Sequence, residues 1–348
     1  MVKKFDGKNS QKCEAVRQAM RRVRRVGSER MPWATFYKEV SRLGGFNNPK
    51  TVQSWIQRKR NAMSLKPDWV DGPAKHTGAN GPFNGIAFQG VGAATTLEYI
   101  QVHMADDDGI EFFGGTAQFK YILTTGISDD NLDWTDGWQG KGQFFVAQQY
   151  AGFGDQGIEA DNNGDNNQAE PRSMPLLSNL TLVGSPESKK SDIGILLREG
   201  TGANIHNAIA MAFEDACLDI DDNETYANGF DGTDLTGDLT ISNSILACGK
   251  SFKTNDEEDE MENKLDDPWS VPDFFNAWNE GNSELESYEG ILTNALDETA
   301  PDFTPVADGP AASGAVTPDD SFFDSVTFKG GVDPSNNWTA GWTTSARN

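Results

Sequence analysis

Residues 97–115, LEYIQVHMADDDGIEFFGG, align without a gap on residues 119–137, FKYILTTGISDDNLDWTDG. Tyr99 falls on Tyr121, Ile100 on Ile122, Asp107 on Asp129, Asp108 on Asp130, Ile110 on Leu132, Glu111 on Asp133, Phe112 on Trp134 and Gly115 on Gly137. The spacing is 22 residues, and each copy holds two strand-like halves split by an Asp/Gly turn. A fixed period of this size belongs to a unit that buries its apolar face on the next copy of itself, so the chain is expected to stack rather than to close a compact sheet.

The pattern extends in both directions. NGIAFQGVG (84–92) reads as part of an earlier turn. GQFFVAQQYAGFGDQGIEADNN (142–163) is a third copy with four inserted residues, so Asp155 answers Asp129, Ile158 answers Leu132 and Glu159 answers Asp133. SNLTLVG (178–184) with IGILLREG (193–200) makes a fourth, and 203–221 and 237–252 make two more. Parallel strands normally need helical crossovers, yet turns alone connect these. The arrangement left is an all-β solenoid: a right-handed parallel β-helix over 83–252, with coils about 4.8 Å apart. Asn207 and Asn243 are expected to ladder at the bends. Residues 253–348 are expected to cover an open end. In that region 255–267 forms an acidic loop, 272–292 has roughly helical apolar spacing, and 322–345 adds a last strand that tucks Trp338 and Trp342 against the body.

Charge divides the chain. Residues 1–66 carry 17 Lys and Arg against 4 Asp and Glu, and the remainder carries 12 against 49. Residues 15–26, 34–43 and 50–61 read as three short basic helices. A basic helical appendage over 1–66 is therefore expected, joined by a Pro/Gly-containing linker over 67–82. Its outline resembles a helix-turn-helix, so nucleic acid is a partner only through 15–61, and the acidic body opposes it. No run of 18 apolar residues spans a membrane, and no secretory signal is visible. Cys13, Cys217 and Cys248 are too few for a disulfide framework, and Cys217 and Cys248 read as small buried hydrophobes rather than as a bridge.

The runs from NGIAFQGVG through KGQF, GIEADNN, SNLTLVG, LLREGTG and FFDSVTFKGGVDPSNNWTAGWT resemble a family of large secreted or lipid-anchored bacterial surface proteins with a pectin-lyase-like β-helix. The resemblance covers about residues 80–345. It implies that fold and an extracellular or cell-surface location. Members of that family begin with an export signal and further N-terminal coils, where this chain shows the basic piece instead.

The repeat also stacks carboxylates: Asp107, Asp129 and Asp155 in one row, Glu111, Asp133 and Glu159 in another, with Asp108 and Asp130 beside the first. Two such charges one coil apart repel by about 3.5 kcal/mol at an effective dielectric of 20, and by about 1 in water. The row must face water, share protons or hold a cation, and oxygen-only ligands favour Ca²⁺. These eight residues are the expected ligands of that ion; the plain alternative is solvated Asx turns.

A lyase would need a base on the same face, and Lys120, Lys141, Arg172 and Arg198 share no repeat position. His103 and His206 read as satisfied strand histidines. No nucleophile elbow, P-loop or dinucleotide fingerprint is present. The expectation is a non-enzymatic surface module with no catalytic residue, whose partner is a glycan or a surface protein. The alternative is a polysaccharide lyase or glycoside hydrolase. Trp134, Trp138 and Phe153 are candidates for stacking on sugar rings, against core packing at coil corners.

Overall fold

The structure is a computed structural model that describes residues 83–253 and 267–347. The basic helices, the linker over 67–82 and nearly all of the acidic loop lie outside the described residues. Six strands, β1 (Ile86–Val91), β3 (Ile110–Gly115), β5 (Leu132–Trp138), β7 (Ile158–Ala160), β9 (Ile193–Leu197) and β12 (Ala216–Ile220), pair in that order, all parallel. The strands between them form the second sheet: β2 (Thr96–His103), β4 (Gln118–Thr125), β6 (Lys141–Gln148) and β8 (Leu176–Val183). It continues through β10 (Ala203–His206) with β11 (Ile209–Met211), then β13 (Leu239–Ser242) with β14 (Ile245–Ala247), then β15 (Ser283–Glu284). Alternation of consecutive strands between two parallel sheets is the β-helix expected from the repeat.

The registers match the aligned copies. Ile110 pairs with Leu132, Leu132 with Ile158, and Glu111 with Asp133, which in turn pairs with Glu159. One pairing departs from the gap-free alignment: Gly115 meets Trp138, not Gly137. Asp136 and Gly137 both have positive φ, 56° and 82°, and form a bulge that takes up one residue. The bulge turns Trp138 into the interior, where its ring lies 4.1 Å from Phe112 at 6° and its indole N–H donates to the Ala117 carbonyl at 3.2 Å. Trp134 and Trp138 are both fully buried, so core packing is their role, and neither is free to stack on a ligand. Phe153 is half-buried.

A second positive-φ row bends the second sheet. Tyr99, Tyr121, Phe144, Asn179, Asn207 and Asn243 have φ between 51° and 60° and occupy equivalent places in successive coils. Strict alternation would turn Leu97, Tyr99 and Gln101 inward. The left-handed residue resets the phase, so Leu97, Ile100 and Val102 face the interior instead. Asn207 and Asn243 do lie in one row. The Asn207 amide, however, donates to Ser178 Oγ at 2.9 Å and to the Val316 carbonyl at 3.0 Å, tying the C-terminal segment down rather than forming an amide ladder.

The C-terminal region divides its work. Helix α1 (Asn223–Gly229) supplies Tyr226, whose ring lies 4.5 Å from Trp269. Helix α2 (Val271–Asp273) runs into a π-helical turn, Phe274–Trp278, and Phe274 and Phe275 extend the interior cluster beyond the last coil. Residues 291–338 have a different place from the one expected. They lie along the outer face of the second sheet, where Leu123, Phe144, Val146, Ile209 and Ile245 meet Ile291, Phe303, Phe328, Val332 and Trp338. The antiparallel pair β16 (Leu292–Asn294) and β17 (Asp302–Pro305) belongs to this layer, and 322–345 contributes no strand. Apolar outward residues on β4, β6, β11 and β14 require such a cover.

Cys217 and Cys248 are joined in a disulfide with a Cα–Cα distance of 5.5 Å, which corrects the reading of them as separate buried hydrophobes. They sit in the fully apolar interior, one in β12 and the other just after β14, and only stacking of the last coils brings them together. The bridge closes a sequence separation of 31 residues, which chain entropy converts to about 3–4 kcal/mol. Replacing both cysteines with alanine should lower the urea midpoint, and adding reductant to the double variant should then change nothing. An oxidised native chain with the same midpoint as the double variant would show that the bridge adds no stability.

Candidate functional site

The carboxylates lie where the chain passes from the second sheet into the first, and on the outward side of the first sheet. In the turns after β2 and β4, Gly109 and Asn131 occupy equivalent places beside Asp108 and Asp130. A Cβ at Gly109 would come within 2.6 Å of the Asn131 carbonyl, so coils approach closely here and draw the turn carboxylates together. Asp107, Asp108 and Asp129 offer oxygens that all lie within 4.8 Å of one another; so do Asp108, Glu111 and Asp133, and so do Asp129, Asp130 and Asp155. Seven of the eight predicted ligands are therefore gathered.

Glu159, the eighth, is in none of these trios. It keeps its place in the row below Asp133, but Arg198 takes its charge, with Nη2 2.9 Å from Glu159 Oε2. The same guanidinium holds Asp161 through Nε at 2.9 Å and Nη2 at 3.3 Å. Asp161 and this pairing were not read from the sequence. The signal was present in Glu159-x-Asp161, two carboxylates on one face of a strand, but the partner comes from the next coil.

Part of the turn chemistry is structural. Asp108 Oδ1 accepts from the Asp130 backbone N–H at 3.4 Å, Asp130 Oδ1 accepts from Gln156 N–H at 2.7 Å, and Gln156 Oε1 accepts from Ile193 N–H at 3.3 Å. Each side chain thus tethers the coil after it, and glutamine does so in the third copy without charge. Among the described residues, Asp133 tethers no backbone N–H; its side chain hydrogen-bonds that of Glu111. Asp133 is 8% exposed, and its Oδ1 is buried with no hydrogen-bond partner. Leaving a buried carboxylate oxygen without a donor is costly, and a cation between Asp108, Glu111 and Asp133 would satisfy it. The donor set therefore fits a hard divalent ion.

Burial and like charge push the row's acidities upward. Burial first, then the charges of Glu111, Asp107 and Asp129, raise Asp108 to about 8. Burial and Asp129 raise Asp155 to about 6, and burial raises Glu159 to about 7 against the pull of Arg198. Asp130 and Asp133 are held well above the ordinary carboxylate range, again chiefly by burial, with the charge of Glu159 next for Asp130 and that of Glu111 next for Asp133. Asp107 and Glu111 are raised for the same leading cause.

Of the four basic residues weighed as a base, Lys120, Lys141 and Arg172 are committed away from the row. Lys120 and Lys141, on the second sheet, pair with Asp324 and Asp320. Arg172 donates to the carbonyls of Asn167 and Gly200. Burial draws the Arg198 guanidinium down, but hydrogen bonding and charge from Asp161 and the charge of Glu159 outweigh it and leave its pKa raised. A base must lose its proton, so this arrangement opposes that role. His103 bonds Thr125 Oγ1 at 2.8 Å and the Ala346 carbonyl at 2.9 Å, and His206 bonds Ser242 Oγ at 2.8 Å.

A family model described as a pectate-lyase-like beta helix domain matches residues 71–287, and the chain belongs to that family. No curated protein and no solved structure matches the chain. Among the described residues no helix is long and apolar enough to cross a membrane.

These shifts fix a pH dependence. A carboxyl raised in the folded state favours folding below its unfolded pKa, and that contribution is lost as pH rises through the folded value. In buffer with EDTA, the urea midpoint should fall between pH 5 and pH 9, through the values of about 6, 7 and 8 for Asp155, Glu159 and Asp108. A midpoint that rises across that window would mean the row is stabilised in its ionised form.

Proposed function

We propose that this protein is a non-enzymatic β-helix module of the extracellular or cell-surface kind, whose acidic turns bind Ca²⁺ and are stabilised by it. The observation that carries the reading is the buried, unpartnered Oδ1 of Asp133 within a trio of carboxylates. Each trio supplies oxygen ligands alone, and water completes a shell of six to eight at Ca²⁺. Asp107, Asp108 and Asp129, and likewise Asp129, Asp130 and Asp155, form the more open trios beside the inner one formed by Asp108, Glu111 and Asp133. Glu159 contributes charge nearby rather than a ligand. The Cys217–Cys248 bridge supports an oxidising compartment, because disulfides persist outside the reducing cytosol.

One observation favours the lyase alternative: Arg198 lies beside the acidic row, on the same sheet. Its two ion pairs weigh against it as a base, and the other basic residues of the body named above are held away from the row. The binding reading is therefore preferred.

Calcium should raise the melting temperature, with a gain of about 2.7 kcal/mol at a hundredfold excess over Kd. Asp133→Asn should abolish that gain and, in EDTA, lessen the loss of stability as pH rises, because it removes a buried carboxyl that would otherwise have to ionise beside Glu111. Asp107→Asn with Asp129→Asn should reduce the gain. No calcium-dependent shift up to millimolar concentrations would remove the cation from the reading. Release of reducing ends or unsaturated products from any polysaccharide would overturn the non-enzymatic assignment.

A further inference from the structure

The positive-φ row of the second sheet ends in an exposed aromatic ring. A left-handed backbone suits Asn and Gly and strains bulky residues. The last three coils use Asn179, Asn207 and Asn243 there, whereas the first three use Tyr99, Tyr121 and Phe144. Burial compensates two of the aromatics. Phe144 is buried with its ring 6.3 Å from Phe328, and Tyr121 meets the edge of Trp338 at 5.6 Å. Tyr99 remains 54% exposed. Tyr121 stacks on one face of its ring at 4.6 Å and 11°, so the exposure belongs to the other face and the rim.

Trp342, 38% exposed, stands at the edge of the Tyr99 ring, 6.3 Å away at 73°, and the two rings make an aromatic corner. Both are fixed before any ligand arrives. The Trp342 indole N–H donates to the Trp338 carbonyl at 2.6 Å, and Trp338 stacks behind it at 6.3 Å. Gln101 clasps the following backbone at Thr344 through both ends of its amide, at 2.7 and 2.9 Å. Rings held this firmly lose little entropy on binding. Thr96 and Glu98 are exposed on the same strand as Tyr99, and the charge of Glu98 reaches the neighbouring Tyr121.

We infer that the Tyr99–Trp342 corner is a binding site for a neutral hexopyranosyl glycan, one sugar ring lying on Tyr99 with its edge against Trp342. The patch is two rings wide, far below the ~1,000 Å² that a stable protein interface needs. An apolar face with polar groups at its rim suits a pyranose. A chain of net charge −24, with Glu98 at the site, repels an anionic polysaccharide, which selects a neutral one. The corner is on the second sheet and does not depend on the cation reading.

The test is isothermal titration of the full chain with cellohexaose, mannohexaose and, as the anionic control, hexagalacturonate, in EDTA and in calcium. Saturable binding of a neutral hexaose is expected in both buffers. Tyr99→Ala and Trp342→Ala should each weaken it about tenfold or more, Tyr99→Phe should retain it, and Leu296→Ala, another exposed apolar residue, should leave it unchanged. Unchanged circular dichroism and melting temperature will show that the variants fold. The inference is overturned if neither neutral hexaose binds below about 10 mM, if only hexagalacturonate binds, or if both alanine variants bind as the native chain does. Loss of the calcium-dependent melting shift with glycan binding intact would remove the cation reading alone.

Discussion

Parallel coil-to-coil register is the constraint on which the rest of this structure depends. Each residue of a coil is placed over its equivalent in the next, so every choice made in one copy is repeated against itself. In the interior this favours aromatic stacking: Phe88 lies 4.9 Å from Phe112, and Phe112 lies 4.1 Å from Trp138. At the turns the same rule stacks Asp on Asp and Glu on Asp. The crowded carboxylates thus follow from the register, and the burial of the interior must hold them together against their repulsion.

The row relieves that repulsion differently at each level. In the third copy, Gln156 does the tethering that Asp108 and Asp130 do above it, without adding charge. Glu159 and Asp161 are neutralised by Arg198. Neither solution reaches Asp133, which shares a side-chain hydrogen bond with Glu111 but leaves its Oδ1 buried without a partner. The cation reading rests on this failure of local compensation more than on the number of acids, because exposed acidic turns need no ion.

Much of the solenoid was legible because the period survives in the sequence. The pairings Ile110–Leu132–Ile158 and Glu111–Asp133–Glu159 were set by aligned copies, and the latter already implied the carboxylate row. What was not legible arises between coils of unlike sequence. Arg198 answers no basic residue in another copy, so its capture of Glu159 has no periodic signal. Cys217 and Cys248 look like any small apolar strand residues until the coils bring them to a Cα–Cα distance of 5.5 Å. The phase reset at Tyr99, Tyr121 and Phe144 was hidden because nothing in an aromatic side chain announces a left-handed backbone. That reset also explains the misplaced C-terminal segment. With the phase shifted, the second sheet turns Leu123, Phe144 and Val146 outward, and the residues read as an end cover are needed along its face instead.

The C-terminal layer in turn explains why one aromatic of the row differs from the others. Phe328 and Trp338 lie over Phe144 and Tyr121, and Trp342 reaches only the edge of Tyr99. A strained conformation in a packed row persists because its neighbours over-determine it. Tyr121 and Phe144 are over-determined by the cover, whereas among the described residues Tyr99 has Tyr121 on one face, the Trp342 edge beside it and much of its ring exposed. Asn179 and Asn207, in the later coils, lie under the same cover and hold it through the carbonyls of Phe328 and Val316. Among the described residues, the Tyr99 ring is thus the exposed end of the row.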